Sequence, residues 1–249
     1  RHKEGVAKFW QKLEADGWIY KGVYKGWYSV RDEAYYSEDE IVDGKAPTGA
    51  PVEWQEEETY FFELSAFGDI LSKIYENDGV VFPKSRLNEV KSFARLGLLD
   101  LSISRNTFDW GIEVPSDKTH VIYVWLDALS NYITALGYPD GEAYKKLWLS
   151  KETKIHFIGK DILRFHAIYW PAFLIAERYK KGAINMEKCL EFFKDFKVVS
   201  HGWWKNEGQK MSKSLGNAIN PYDLVSKFGL DKVRYFFLKA MPFGLDGDF

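Results

Sequence analysis

Two successive strand-turn-helix units predict an α/β fold with a parallel sheet, preceded by an α+β region and followed by helices. In the first unit the run Val-Ile-Tyr-Val-Trp-Leu over residues 121–126 is apolar, β-branched and aromatic without alternation. A strand buried on both faces has that composition, and a helical pattern through about Ala135 follows it. In the second unit, residues 154–158 read as a strand, Gly159-Lys160-Asp161 as a turn and 162–178 as a helix. Residues 197–200 supply a third strand. Consecutive units of this kind place their strands in parallel and their ligands beyond the carboxyl ends of those strands.

The remaining elements follow in chain order. Val6, Phe9, Trp10 and Leu13 recur at helical spacing, so 2–15 is an amphipathic helix stopped by Asp16-Gly17. From Trp18 to Val30, aromatics and valines punctuated by Gly22 and Gly26 read as short strands and turns. Glycines, prolines and the run Glu56-Glu57-Glu58 make 43–58 an exposed acidic loop or hairpin. Leu64, Phe67, Leu71 and Ile74 predict a helix over 61–75, and Pro83 opens another over 84–95. Residues 101–105 alternate like a strand, with Arg105 at its end. Pro171 predicts a bend or local adjustment in its helix. Residues 178–196 read as an amphipathic helix of no evident function, 221–228 and 231–241 as two more. Asp231 is expected to cap the last, with Val233, Phe236, Phe237 and Ala240 facing inward.

Composition bounds the function. With 249 residues, 46% hydrophobic and 28% charged, the chain can bury a sizeable core. A net charge of −2 leaves no global basic footprint, so a nucleic-acid partner would be held by local patches. Cys189 is alone, which excludes an internal disulfide or a cysteine-rich metal cluster. No apolar run approaches the span of a bilayer, so the reading is a soluble protein. The chain opens on Arg1 without a methionine, and the expectation is a piece of a longer polypeptide.

The stretch most suited to chemistry is Gly208-Gln209-Lys210-Met211-Ser212-Lys213-Ser214. Lys210 and Lys213, three apart, project to one side of any turn, and Ser212 and Ser214 add hydroxyls, a set suited to a polyphosphate. On composition alone the same stretch reads more readily as a solvated basic turn.

Lys-Met-Ser-Lys-Ser resembles the ATP-side signature of class I aminoacyl-tRNA synthetases. The preceding His201 to Gln209, the block Ile-His-Phe-Ile-Gly-Lys-Asp-Ile-Leu-Arg-Phe-His over 155–166 and the run Tyr-Val-Trp-Leu-Asp-Ala-Leu-Ser-Asn-Tyr-Ile over 123–133 are similar to the methionyl family of bacterial and mitochondrial type. The resemblance implies the second half of a Rossmann-like catalytic domain with a connective α+β insertion and a helical stem-contact segment. It divides the chain into a connective region at 1–120, a catalytic half at 121–200, and the loop and stem-contact segment at 201–249. The family's other ATP signature, His-Ile-Gly-His, does not occur in this sequence; the resemblance implies a fragment that stops short of the family's helical anticodon-binding domain. Where some members carry zinc cysteines in a knuckle, this chain has Tyr24, Asp32, Tyr35 and Tyr36, and the expectation is a metal-free knuckle.

The implied activity is ATP-dependent joining of L-methionine to tRNA(Met) in bacterial cytoplasm or mitochondrial matrix, with ATP a substrate, Mg2+ its companion and no membrane partner. A noncatalytic tRNA-binding or scaffold module is the alternative. Lys210, Ser212 and Lys213 would act on the leaving pyrophosphate, Lys213 above all. Gly159, Lys160, Asp161 and Trp204 would border the nucleotide; by local sequence the first three are as readily an ordinary tight turn with an aspartate cap. Trp125, Ala128, Tyr132, Ile162 and His166 would line the methionine pocket, where aromatic and aliphatic walls suit a thioether. Taken singly, a lone aromatic of this set reads more readily as a core residue, and His166 as a satisfied buried histidine; five positions matching the family pattern reverse that.

Overall fold

The computed structural model describes residues 1–31, 34–36, 38–107, 109–211 and 216–249, with backbone alone for Ala34, Tyr35 and Asp39. Asp32 of the knuckle expectation, and Ser212, Lys213 and Ser214 of the loop, lie outside the described residues. The chain forms two compact units, 1–66 with 99–150 and 173–184, and 67–98 with 151–172 and 185–249.

The first unit opens with the predicted helix, His2–Ala15, which buries Gly5, Val6, Phe9, Trp10 and Leu13. It ends in a paired carbonyl closure: Gly17, at φ +83°, donates its N–H to Glu14 and Trp18 donates to Leu13. This geometry favours glycine and satisfies carbonyls the helix leaves open. Residues 18–30 do not break into short pieces. They form one strand, Ile19–Ser29, paired antiparallel along its length with Glu53–Phe62 and flanked by Ala34–Tyr36 and Leu101–Ser102. Gly22 sits inside it because a Cβ there would lie 3.2 Å from the Phe61 ring. The glutamate run is therefore strand, and Glu57, expected on the surface, is buried and accepts the Asn106 N–H at 3.3 Å. Residues 101–105 become two strands in two sheets, split at the fully buried Ile103.

The 121–126 strand is also displaced. The strand is Asp117–Ile122, antiparallel to both Ser104–Arg105 and Glu113–Val114, and the helix Val124–Thr134 begins two residues later. An unbroken apolar run fits a buried strand or a buried helix equally, and here it contains the junction between them.

The second unit holds the parallel sheet: Val81–Phe82, Phe196–His201 and Lys154–Gly159, with the second of these in the centre. The helix expected over 61–75 shrinks to Gly68–Ile74 after a 3-10 turn, because Tyr60-Phe61-Phe62 continue the strand of the first unit. Lys84–Arg95 is helical as expected. After Gly159 come the 3-10 turn Lys160–Ile162, a π-helical turn at Phe165–Tyr169 and the helix Trp170–Arg178. The adjustment expected from Pro171 is this π turn: proline has no N–H for the carbonyl of Ala167 four residues back, and that carbonyl accepts the Tyr75 hydroxyl.

Of the helix read over 178–196, only Met186–Lys194 forms; Asn185 caps it by accepting the Lys188 N–H at 3.0 Å. Pro221–Phe228 and Leu230–Ala240 close the chain's helical part. Gly229 rather than Asp231 is the residue before the last helix, and only Val233 of the four expected inward positions is buried. Phe236 and Phe237 instead pack on Trp204, with ring centroids 5.5 and 5.1 Å from it.

Candidate active site

Strand Lys154–Gly159 delivers the Gly159-Lys160-Asp161 turn at its carboxyl end, next to His201 at the end of the neighbouring strand. Gly159 is extended (φ −71°, ψ 152°), so its backbone does not need glycine. Space does: a Cβ there would lie 2.6 Å from Asp161 Oδ1. That oxygen accepts the indole N–H of Trp203 at 3.2 Å.

Trp203 is the meeting point of the cluster, and sequence reasoning passed over it in favour of Trp204. The Lys160 ammonium lies 4.4 Å from its ring centroid and the Lys210 ammonium 4.2 Å. Cations over an indole face are held by its quadrupole. The alternation of extended residues separates the two tryptophans: Trp203, Lys205 and Lys210 share one face, while the Trp204 ring joins Phe236, Phe237 and Phe249 on the other.

Lys210 comes from a hairpin. Trp204–Asn206 pairs with Gln209–Lys210 around Glu207-Gly208, both with positive φ (51° and 74°), the two-residue turn whose twist suits hairpin strands. Gly247–Asp248 adds a parallel third strand. The Asp248 carboxylate accepts the Gly208 N–H at 2.9 and 3.0 Å. Asn206 donates to the Asn217 carbonyl at 3.1 Å and Asn217 donates to the Lys210 carbonyl at 3.2 Å. These bonds bring residue 217 back against the hairpin and close the base of the loop that carries Ser212 and Lys213.

A second carboxylate missing from the sequence-based set is Asp246. It accepts from the Lys160 ammonium at 2.7 and 2.9 Å, from the Trp203 backbone N–H at 3.0 Å, and pairs with Lys205 at 3.0 Å. The Lys160 ammonium, then the Trp203 N–H and Lys205, hold its carboxyl well below the usual carboxylate range. No periodicity marks Asp246, since its partners lie 41 and more residues away.

The five side chains expected around methionine fall in both units. Trp125, Ala128 and Tyr132 stand at i, i+3 and i+7 on the helix Val124–Thr134, half-buried, while Leu126, Leu129 and Ile133 turn to the core. Trp125 is thus in a first helical turn rather than at a strand end. Ile162 and His166 belong to the second unit. Since a carbonyl can only accept, His166 Nδ1 donates to the Ile162 carbonyl at 2.9 Å, which makes Nε2 the acceptor of the neutral ring. Burial lowers the His166 pKa, so the ring is neutral at physiological pH. Its neighbour His156, 6.1 Å away between ring centroids, accepts the Trp170 indole N–H at 3.1 Å.

The family model described as tRNA synthetases class I (M) matches residues 1–51 and 46–249. A methionine--tRNA ligase of Rickettsia felis is 56% identical over the whole chain, which covers 46% of that protein; one from Brucella suis is 52% identical, with 47% covered. The structure of Mycobacterium tuberculosis methionyl-tRNA synthetase bound by methionyl-adenylate superposes with a TM-score of 0.84 at 46% identity, covering all of this chain and 47% of that one. The chain therefore spans about half the length of the curated relatives it matches, and it belongs to the class I tRNA synthetase family, in the branch designated M.

Proposed function

We propose that these residues form part of an enzyme that activates L-methionine with ATP and transfers it to tRNA(Met). The supporting observation is that Lys160 and Asp161, beyond a parallel strand, share one indole with Lys210 at the base of the Lys-Met-Ser-Lys-Ser loop. Relatives named methionine--tRNA ligase and the methionyl-adenylate complex of a neighbour support the substrate.

In activation a methionine carboxylate oxygen bonds to the α-phosphorus of ATP and pyrophosphate leaves; in transfer a terminal ribose hydroxyl of the tRNA takes the acyl group and AMP leaves. Neither step needs a protein nucleophile, so catalysis rests on positioning and charge. Lys210 and Lys213 stabilise the departing pyrophosphate and Ser212 bonds its oxygens. Gly159 leaves room for the nucleotide, Asp161 accepts from the ribose, Lys160 adds charge and the Trp204 backbone borders adenine. Trp125, Ala128, Tyr132, Ile162 and a neutral His166 receive the thioether, which gains nothing from a charged wall. Mg2+ enters with the phosphates; among the described residues no group of three or more His, Cys, Asp or Glu side chains is placed to hold a metal.

We keep the functional division at 1–120, 121–200 and 201–249, a knuckle without zinc, and bacterial cytoplasm or mitochondrial matrix as the compartment. Among the described residues no helix is long and apolar enough to cross a membrane. Pyrophosphate exchange in the natural polypeptide carrying these residues tests the reading. Methionine should support exchange; exchange with leucine alone refutes it, and tRNA binding without any exchange favours the noncatalytic alternative.

A further inference from the structure

Lys205 and Lys210 stand directly opposite one another across the hairpin, and Lys160 approaches the same indole as Lys210. Like charges opposed across a strand pair repel. Three ammonium groups thus gather on the face that has to meet ATP, before any phosphate is there to balance them. Asp161 contributes one carboxylate, held by the Trp203 indole. Asp246 contributes the other and is the only one of the two in contact with ammonium groups, bridging Lys160 and Lys205 while its Oδ1 takes the Trp203 backbone N–H. The strand Gly247–Asp248 that follows pairs with Trp204–Asn206, so this carboxylate is built into the hairpin's own sheet. Gly202 makes the approach possible: a Cβ there would lie 2.0 Å from the Leu245 carbonyl oxygen and 2.7 Å from the Asp246 nitrogen.

We propose that Asp246 is a positioning residue for amino-acid activation: it neutralises Lys160 and Lys205 and, through the Trp203 backbone N–H, fixes the indole on which Lys160 and Lys210 rest, without touching the reacting atoms. The inference rests on the functional reading above and deepens it. With an asparagine in its place the Trp203 N–H keeps an oxygen acceptor of the same shape, but Lys160 and Lys205 lose the carboxylate that bridges them beside Lys210. Excess positive charge still attracts ATP. What is lost is alignment, so the defect appears in the catalytic step rather than in nucleotide affinity.

The test is methionine-dependent pyrophosphate exchange in the natural polypeptide, with Asp246→Asn, Asp246→Glu and the double variant Asp246→Asn with Lys205→Met. Asp246→Asn is expected to lower kcat by about tenfold or more, while KM for ATP moves less than about threefold and KM for methionine stays constant. Asp246→Glu restores most of the rate. In the double variant, removing the cation that has lost its partner recovers at least about threefold. If Asp246→Asn folds poorly, the double variant and the glutamate variant carry the comparison.

A kcat for Asp246→Asn within about twofold of the parent, with only the melting temperature lowered, overturns the proposal, as does a double variant no faster than the single one. A parent protein that shows no methionine-dependent exchange sinks the functional reading and this role with it. A parent that exchanges normally beside an unaffected Asp246→Asn sinks this role alone.

Discussion

Replacing Gly159 by alanine separates the fold from the chemistry. The backbone at this position is ordinary extended chain, so alanine fits it and stabilises the fold by about 0.4–1 kcal/mol through the unfolded state. The new methyl, however, stands 2.6 Å from Asp161 Oδ1, and ordinary contact begins at 3.4 Å, so the carboxylate has to retreat by about 0.8 Å. Its bond to the Trp203 indole, at 3.2 Å, lapses after about 0.3 Å of that movement. Asp161 is exposed, and a solvent-facing hydrogen bond contributes only about 0.5–1 kcal/mol, which offsets the entropic gain. The melting temperature should then move by no more than ~3 °C. If the carboxylate accepts from the ribose, losing that contact costs about 1.5–3 kcal/mol, or roughly 10- to 150-fold in kcat/KM for ATP, with KM for methionine unchanged. The assay is pyrophosphate exchange at varied ATP beside a thermal melt. A variant whose kcat/KM for ATP stays within about twofold of the parent, at equal stability, refutes the role given to this turn.

Gly202→Ala is the opposite case: the clash is with backbone atoms of Leu245 and Asp246 that no rotamer change relieves. Destabilisation of about 1–3 kcal/mol and a melting temperature several degrees lower are expected in calorimetry. Tyr75→Phe removes the donor to the Ala167 carbonyl in the interior and should cost about 1–3 kcal/mol by urea titration, since water cannot replace it. Burial first, then His166, pushes the His156 pKa down from 6.5 to about 3. Because the folded value lies below the unfolded one, the stabilisation is complete above pH 6.5 and is lost as pH falls from there toward 3, by up to ~1.4 kcal/mol per unit. His156→Gln, which offers Trp170 another acceptor, should flatten the fall in urea midpoint between pH 7 and 5 relative to the parent.

What could be read in advance follows from the range of the interactions involved. The hairpin of Trp204–Asn206 with Gln209–Lys210 was read only as the approach to a loop, whereas the strand-turn-helix at 154–178 was legible because it is decided within a few residues, by an apolar run and a glycine. The junction at 121–126 was not: Tyr123 carries the backbone change inside an uninterrupted apolar run, and periodicity has no signal there. The long helix read over 178–196 failed for a similar reason, since Gly182 and Asn185 interrupt a pattern whose apolar spacing continues through them. At the site, Trp203 itself had a signal in the sequence. Adjacent residues in an extended segment face opposite ways, and the residues two and seven beyond Trp203 are both lysines, whereas Trp204 is followed by Asn206. Asp246 had no such signal, because only the folded chain returns it to the hairpin.

The bonds around the hairpin divide into two kinds. At its base, Asn206, Asn217 and the Lys210 carbonyl are joined by neutral amide bonds, and Asp248 grips the turn through the Gly208 N–H. None of these bonds uses the Lys210 ammonium. The Lys210 ammonium, by contrast, is held by the face of Trp203, an attraction of only about 0.5–1 kcal/mol at an exposed position. A polyphosphate oxygen offers a charge-assisted hydrogen bond roughly twice as strong as a neutral one, so the cation can leave the ring for the substrate while the base stays closed. On the proposed function, the aromatic resting place leaves Lys210 able to move to a phosphate, whereas Lys160 stays held by Asp246.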